Sequence, residues 1–305
     1  MKKMAKVAAL LAAVVLAAGM TACQKKDGAE GGGSQQASSG GSVSQKSVSK
    51  KSGKQKKASK VRAQDASPYL FMDGTTVIGF KDGLPANILI PAGVTKIGNA
   101  AFYQCESLKN VVISDSVTSI GEEAFRFCTS LESVVIPDSV TTIGKIAFQN
   151  CTSLASVKIP DSVTTIGMST FGGCESLKSV TIPAGVTDIG DHAFGNCKSL
   201  TSVEIPGGVT SIGKHAFSLC TSLESVEILD GVAEIGEFAF FGCTSLTNVT
   251  IPTSVTRIMG DAFTSYSDDS LLKEIKYTGT KAQWEKIKKS FYGVFVTCTD
   301  GTVKG

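Results

Sequence analysis

The sequence predicts an α/β repeat solenoid, in which eight copies of one short coil stack around a shared core. A unit of 23 residues recurs seven times without a gap, starting at Ile90, Ile113, Ile136, Ile159, Ile182, Ile205 and Ile228. An eighth unit starts at Ile251 and carries about three extra residues around Ser267. A fixed period of this length, with apolar residues at fixed positions, is typical of stacked repeat folds.

The apolar positions of the unit, numbered from its isoleucine, predict two strands in each coil. Positions 1 and 8 are Ile, position 5 is Val and position 13 is Phe in all eight units. Position 22 is Val in the regular units, two residues before the next Ile, so both should lie on one strand face. Positions 5 to 8 favour a second, β-branched strand. Since no unit can bury these side chains alone, we expect identical residues to form columns at about 4.8 Å spacing.

The segment between the strands predicts turns. Gly occupies position 9 in seven of the eight units, and we expect it to adopt a positive φ where the chain reverses. The A-F-x-x-C segment at positions 12 to 16 is too short for a full helix, and it predicts one helical or 3₁₀ turn.

The combined pattern L-x-x-V-x-I-P-x-x-V-T-x-I-G-x-x-A-F-x-x-C resembles the leucine-rich repeat family, specifically the 23-residue bacterial subtype of BspA-like surface proteins. The resemblance covers about residues 69–300. Departures are local: Ser114 and Leu229 replace the proline, Thr170 replaces the alanine and Tyr266 replaces the cysteine. The resemblance implies a leucine-rich repeat solenoid with a parallel β-sheet, and adhesion to host or bacterial proteins.

Residues 1–23 have the features of a lipoprotein signal peptide. Three lysines precede an apolar stretch from Val7 to Ala18, which is too short to span a bilayer comfortably. The following Gly-Met-Thr-Ala-Cys resembles a bacterial lipobox, so Cys23 is the expected lipidation site. The alternative is an ordinary secretory signal cleaved near Ala22. The expected location is therefore outside the cell, anchored to the membrane on the bacterial surface.

Residues 24–67 predict a disordered basic linker, because Gly, Ser, Gln and Lys dominate and no aromatic residue occurs. Ten basic and three acidic side chains give this segment a charge of +7. The lysines could attract the segment to anionic lipid or wall polymer, or they could only keep a tether soluble and extended.

Two atypical segments flank the repeats of residues 90–277. Residues 68–89 predict an N-terminal cap with a hairpin around Asp73-Gly74. Residues 278–305 predict a C-terminal cap with an amphipathic helix at 281–289, a strand at 294–298 and a turn at Asp300-Gly301. A similar closing segment is common in the family, and Trp284 is expected to cover the last coil.

Cysteine is the first residue type that suggests chemistry. Eight cysteines follow residue 67, namely Cys105, Cys128, Cys151, Cys174, Cys197, Cys220, Cys243 and Cys298. An even number in an exported chain suggests disulfides. However, parallel Cβ atoms one coil apart exceed the separation that a disulfide needs, so we expect buried free thiols. A line of thiols also does not converge on a metal ion.

No other motif indicates catalysis. His192 and His215 share position 11 of neighbouring units, which predicts two adjacent, solvated imidazoles. The near match to a phosphate-binding loop at Gly208–His215 has His where the motif needs Ser or Thr. We therefore expect no enzyme activity, no catalytic residues, no metal and no cofactor.

Two outward surfaces are candidate binding sites. Residues 68–305 carry a charge of −7, which argues against nucleic acid as a partner. The first surface is position 23 of the strand, which varies along the chain: Val112, Val135, Lys158, Thr181, Glu204, Glu227 and Thr250. The second consists of apolar residues at turn positions that are normally exposed: Phe127, Leu219, Phe238 and Phe241.

These features predict a cell-surface, lipid-anchored repeat protein that binds a protein or peptide ligand and acts as an adhesion module. The alternative is a lipoprotein that captures a glycan or peptide for a transporter. The alternative requires an aromatic platform and a pocket, and the sequence offers few outward Trp or Tyr residues.

Overall fold

The computed structural model describes residues 68–264, 271–289 and 294–304. The signal peptide and linker expected in residues 1–67, and the insertion around Ser267, lie outside the described residues. Within the described part, each turn of the chain adds two short strands, and equivalent strands of successive turns pair side by side.

The longer strand of each turn contains positions 21 to 23 of the unit and often the following isoleucine. These strands are β3 (Asn87–Ile90), β5 (Asn110–Ile113), β7 (Ser133–Val135), β9 (Ser156–Lys158), β11 (Ser179–Thr181), β13 (Ser202–Ile205), β15 (Ser225–Ile228), β17 (Asn248–Ile251) and β19 (Glu274–Tyr277). Their neighbours are parallel, and the register places each residue beside its copy 23 residues away, as for Glu204 and Glu227.

The shorter strand contains positions 7 and 8. These strands are β4 (Lys96–Ile97), β6 (Ser119–Ile120), β8 (Thr142–Ile143), β10 (Thr165–Ile166), β12 (Asp188–Ile189), β14 (Ser211–Ile212), β16 (Glu234–Ile235) and β18 (Arg257–Ile258). Each set of strands is interrupted once, between β8 and β10 and between β11 and β13. Both interruptions flank the turn in which Thr170 replaces the small alanine of position 12 and is buried.

The core consists of columns of identical side chains, as the period predicts. From Phe102 to Phe263, neighbouring phenylalanine rings have centroids 5.0–5.5 Å apart and planes within 11° of parallel. Phe148, Phe171 and Phe194 belong to this column and have no exposed surface. The isoleucines of positions 1 and 8 and the valine of position 5 are buried in every described unit. The predicted solenoid is therefore confirmed.

Glycine at position 9 has a different role from the predicted one. None of these glycines has a positive φ, so the expected left-handed reversal at this position is wrong. Instead, a Cβ added to Gly121, Gly144 or Gly213 would lie 2.5–2.6 Å from a backbone atom of the preceding turn. In six of the seven coils with glycine at position 9, backbone atoms of the preceding turn therefore lie too close for a Cβ atom; the last unit has Met259 there.

The left-handed residues are at positions 11 and 15, as in Ala100 (φ 52°) and Gln104 (φ 56°). The backbone between them forms overlapping β-turns, in which Tyr103 N donates to Ala100 O at 3.0 Å and Cys105 N donates to Phe102 O at 3.1 Å. In the turn from Phe102 to Cys105 the third residue is Gln104, and a positive φ at the third residue is typical of a type II turn. The predicted helical or 3₁₀ turn over A-F-x-x-C is therefore wrong.

These turns also bond to the next coil. Phe102 N donates to Ala124 O at 2.7 Å, and Gln104 N donates to Arg126 O at 2.9 Å. The same bonds recur along the chain, so the turns form a third ladder beside the two sets of strands. Every second peptide N–H of this segment therefore points to the following coil, whereas the N–H groups between them close the turns.

The cysteines of position 16 are buried free thiols, as predicted. Each thiol from Cys128 to Cys243 donates to the carbonyl of the phenylalanine in the preceding coil, at sulfur–oxygen distances of 3.0–3.4 Å. Burial raises the pKa of Cys128 and Cys197 to about 12. The column of thiols therefore adds hydrogen bonds between coils as well as apolar volume.

The two ends continue the same pairing. The predicted hairpin is β1 (Leu70–Asp73) and β2 (Thr76–Phe80), and β2 pairs with β4 of the first full unit. At the other end, β20 (Lys288–Lys289) pairs with β18, and β21 (Phe295–Cys298) pairs with β19 and with β22 (Gly301–Lys304).

The helix of the C-terminal cap is shorter than predicted. The helix α1 spans Lys281–Glu285 and begins with a capping box between Thr280 and Gln283. Lys288 and Lys289 belong to a strand, so the predicted helix over 281–289 is wrong in its second half. Trp284 is buried, with its ring 5.2 Å from that of Tyr277. Within the described ranges, no helix is both long and apolar enough to cross a bilayer.

Removing one ring from the phenylalanine column should be costly. We expect Phe194→Ala to lower the free energy of unfolding by about 3–5 kcal/mol, because a fully buried ring leaves a cavity between two neighbouring rings. Urea titration followed by circular dichroism measures this, with the exposed Thr181→Ala as the control. A loss below about 1 kcal/mol for Phe194→Ala would contradict a closely packed column.

The eight described cysteines should resist alkylation. At pH 8 we expect iodoacetamide to leave them unmodified in the folded chain, because burial excludes the reagent and, at Cys128 and Cys197, a raised pKa also suppresses the reactive thiolate. The same reaction in urea should modify all eight, as measured by mass spectrometry of the peptides. Rapid labelling of Cys174 or Cys197 in the folded chain would exclude this arrangement.

Candidate functional site

Because the columns fill the interior, the candidate sites are on the outside of the coils. The first is the sheet face, which we define as position 23 of the longer strands: Val112, Val135, Lys158, Thr181, Glu204, Glu227 and Thr250. The register brings these residues into one row, with Val112 beside Val135 and Glu204 beside Glu227. The structure therefore places all seven predicted residues on the same surface.

The sheet face changes in chemistry from one end to the other. It begins with Val112 and Val135, which are half-buried, and Leu89 extends this apolar end because it is 60% exposed and pairs with Val112. Lys158 follows and forms an ion pair with Asp138 at 2.9 Å.

The acidic part of the sheet face carries an uncompensated pair of charges. Glu204 and Glu227 are exposed neighbours on adjacent parallel strands, and neither belongs to an ion pair among the described residues. Like charges beside each other in a sheet are destabilising. No ion pair within the described fold therefore stabilises these two carboxylates, and both are available to a partner.

Position 21 lies on the same side of the strands, but it is occupied by structural hydrogen bonds. Asn110 Nδ2 donates to Asn87 Oδ1, and Ser133 Oγ donates to Asn110 Oδ1, both at 2.6 Å. These bonds between coils account for the small polar residues at this position, so position 23 is the variable part of the strand.

The second candidate surface is the turn edge, which we define as positions 10 to 15. The structure does not bring its four predicted residues into one patch. Phe127 is five units away from Phe238 and Phe241. Phe241 is only 8% exposed and packs edge-on against Phe238, with ring centroids 5.4 Å apart. Leu219 is 42% exposed.

Phe127 belongs to a cluster that the sequence did not suggest. The guanidinium of Arg126 lies 4.8 Å from the centroid of the Phe127 ring and 5.9 Å from that of Tyr103, and Arg126 Nη1 contacts Glu123 Oε2 at 3.0 Å. Arg126 Nε and Gln149 Oε1 are buried without hydrogen-bond partners. The charge of Arg126 is thus already balanced by Glu123.

The two histidines are adjacent, as predicted, but they form part of a longer row. Their ring centroids are 4.7 Å apart, and the His215 ring lies 4.9 Å from that of Phe238, with planes within 13° of parallel. Partial burial, together with His192 and Lys214, lowers the pKa of His215. We call His192, His215 and Phe238 the aromatic row; the position 11 that they share is the sequence signal that could have revealed it.

Some of the charged residues around the aromatic row are paired with one another. Lys214 forms an ion pair with Glu237, and Lys198 forms one with Glu175 at 2.9 Å. Asp191 accepts the backbone N–H of Lys214 at 2.8 Å. Asp191 and Asp261, which follows Phe238 at position 11, are exposed and belong to no ion pair among the described residues.

Potential metal ligands do not cluster in the described part of the chain. In this part of the chain, no group of three or more His, Cys, Asp or Glu side chains could hold a metal ion. The segment that resembles a phosphate-binding loop contains the strand β14, and Gly213 N donates to Ile189 O at 2.8 Å. That amide belongs to the ladder between coils and is not available to a phosphate.

Comparison with known proteins agrees with this architecture. Residues 80–201 and 187–293 match the family described as BspA type Leucine rich repeat region, in six copies. Comparison with curated proteins gives no match. The leucine-rich repeat protein TpLRR of T. pallidum is 33% identical over 56% of this chain and 82% of its own, with a TM-score of 0.53.

A leucine-rich repeat protein from Bacteroides ovatus ATCC 8483 is 28% identical over 70% of each chain, with a TM-score of 0.52. The family match covers more than half of the sequence and coincides with the coils described above. The chain therefore belongs to the BspA-type leucine-rich repeat family.

Proposed function

We propose that the chain is a lipid-anchored, surface-displayed adhesion module that binds a protein partner through the sheet face. Its family and its structural neighbours are repeat scaffolds that typically bind proteins and lack enzymatic activity. One observation supports the choice of surface. The interior columns are identical in every coil, whereas position 23 changes from valine to lysine to glutamate.

A polypeptide laid along the sheet face would meet three environments in a fixed order. Val112 and Val135 provide apolar contacts, Lys158 contributes a cation that already contacts Asp138, and Glu204 and Glu227 provide two uncompensated carboxylates. A partner with basic groups near the acidic end would relieve the repulsion between the two glutamates. The carboxylates should therefore affect both the rate and the strength of binding.

Membrane attachment through Cys23 is the second part of the proposal. A lipobox-like sequence followed by a segment with a charge of +7 suits a lipid anchor and a tether. These residues lie outside the described part of the chain, so the sequence alone supports the anchor.

The alternative function, capture of a glycan or peptide for a transporter, is less well supported. Sugar binding usually relies on an aromatic ring with a free face, and both faces of the His215 ring are covered by His192 and Phe238. A protein partner can instead use the edges of such rings and the strand residues of the sheet face.

The first test reverses the acidic pair. We expect the full chain to bind at least one member of an immobilised panel of purified host and bacterial surface proteins. Glu204→Lys with Glu227→Lys should weaken that binding about tenfold or more, because two attractive contacts become repulsive. Surface plasmon resonance measures the change at several salt concentrations.

The matched control is Glu122→Lys with Glu106→Lys, which changes the net charge equally at exposed glutamates outside the sheet face. This control should bind like the unmodified chain. Equal binding by all three proteins would remove the sheet face from consideration.

The second test concerns the anchor. We expect Cys23→Ser to move the protein from the membrane fraction to the medium or the soluble envelope fraction, because the acylated residue is lost. Immunoblotting of fractions detects the shift, and protease treatment of intact cells should release repeat peptides from the unmodified protein. Unchanged fractionation of Cys23→Ser would favour a different means of attachment.

A further inference from the structure

The first long strand, β3, has an open edge. In its sheet the strand order is β11-β9-β7-β5-β3, so within the described ranges β3 has a neighbour on one side only. Asn110 N of β5 donates to Ala86 O at 3.0 Å. Alternate residues of a strand direct their backbone groups to opposite sides. Ala86 and Ile88 therefore face β5, and the N–H and C=O groups of Asn87 and Leu89 point to the open side.

Three other strands close the two sets of strands at the ends of the described coils, and each carries a feature that discourages pairing with another chain. β1 contains Asp73 and a bulge, β20 consists of two lysines, and β22 ends at Lys304. Charges, bulges and very short strands are the usual protection of exposed sheet edges. β3 is Asn-Ile-Leu-Ile and has no charge and no bulge.

Proline limits the length of β3 that can pair. Pro85 and Pro91 flank the strand and have no N–H group. Asn87 and Leu89 are therefore the residues left to donate hydrogen bonds on the open side. A segment of this length suits a partner strand that is equally short, and the prolines restrict the register of the pair.

The side chains beside this edge are uncharged. Leu89 is 60% exposed, more than any other large apolar side chain of the described residues. It pairs with Val112, which pairs with Val135, and both valines are half-buried. Residues 83–95 contain no charged side chain. An identical segment could therefore lie beside β3 without placing like charges opposite each other.

We propose that β3 pairs with β3 of a second copy of the chain, so that the two copies share one continuous sheet. Two identical edges related by a twofold axis run antiparallel. With the axis at Ile88, Asn87 of each copy lies opposite Leu89 of the other, and each such pair exchanges its backbone hydrogen bonds. About four bonds form in this way.

A second copy suits the edge better than an unrelated peptide. Pairing of two copies closes both open edges, whereas an added peptide strand would leave its own outer edge open. The copy also brings the apolar end of its sheet face, with the two Leu89 side chains diagonal to each other across the axis. Asp82 and Asp115 are exposed and belong to no ion pair among the described residues, but they lie on turns outside β3. Salt should therefore not weaken the dimer.

The dimer would present two sheet faces on the same side, because the twofold axis is perpendicular to the shared sheet. Two linked faces bind a clustered partner more tightly than one face does. The pairing itself does not depend on the proposed ligand, since Glu204 and Glu227 belong to β13 and β15 and not to the edge.

The first test is sedimentation velocity of the full chain carrying Cys23→Ser, so that no acyl chain causes association. We expect a monomer–dimer equilibrium between about 1 and 200 µM, because the contact is small. Leu89→Lys should raise the dissociation constant about tenfold or more, since it adds a charge to the edge. Thr181→Lys, an equal charge change at an exposed position of the same face, is the control and should dimerise normally.

Thermal unfolding at low concentration separates pairing from folding. Because the Leu89 side chain is exposed, Leu89→Lys should unfold at the same temperature as the unmodified monomer. A clearly lower melting temperature would contradict the proposal, because Leu89 would then serve the fold.

The second test examines the register in the acylated chain on membranes. Asn87→Cys with Leu89→Cys should give a disulfide-linked dimer under mild oxidation, seen on a non-reducing gel, because these positions lie opposite each other. The eight described native thiols are buried and should not contribute. Either single substitution should link much less, since neither residue lies opposite its own copy.

Three outcomes would overturn the proposal. They are a monomer at every concentration, equal dimerisation of Leu89→Lys and the unmodified chain, and equal crosslinking of the single and double cysteine variants. A monomer would assign the edge to the chain's own residues 61–67 or to another protein. Loss of ligand binding by Glu204→Lys with Glu227→Lys, with dimerisation intact, would affect the proposed function alone and would leave the dimer supported.

Discussion

The period of 23 residues is the constraint on which the rest of the structure depends. It places each side chain beside the equivalent side chain of the next coil. A residue type is therefore suitable for a core column only if it packs well between two residues of the same type. Phe satisfies this by parallel stacking at 5.0–5.5 Å, and the aliphatic residues satisfy it as strand columns. A polar residue in a core column would face a polar copy in the next coil, so the period favours apolar residues throughout the interior.

The same register organises the backbone. Two sets of strands and the ladder of turns connect each coil to the next, and the cysteine thiols add a bond to a buried carbonyl. Close approach of the preceding coil favours glycine at position 9 in six coils. The widest spacing between phenylalanine rings of the full units, 5.5 Å, lies on both sides of Phe171, beside the buried Thr170. Recognition is left to the outward positions, where the fold restricts residue choice least.

The core columns could be predicted from the sequence, because residues that are identical every 23 positions lie beside one another when the coils stack. Turn geometry could not, because a positive φ at Ile146 or Phe127 contradicts local preference and is imposed by bonds to neighbouring coils. Glycine at position 9 was predicted to be a turn residue, because a single repeat does not show how closely the preceding coil approaches it. The sheet face could be predicted from strand alternation. The burial of Phe241 and the Arg126 cluster depend on packing between different columns, which a single repeat does not encode.

If the 23-residue register holds the coils together, the chain should tolerate the deletion of one complete unit. Removing residues 159–181 should leave a shorter chain that still unfolds in one cooperative urea transition, because residues 136–158 would then stack on residues 182–204 in the same columns. Removing residues 159–180 instead should lower the urea midpoint clearly, since Thr181 then remains as an extra residue in the strand and misaligns residues 136–158 with residues 182–204 at that junction. Similar unfolding curves for the two deletions would contradict the account.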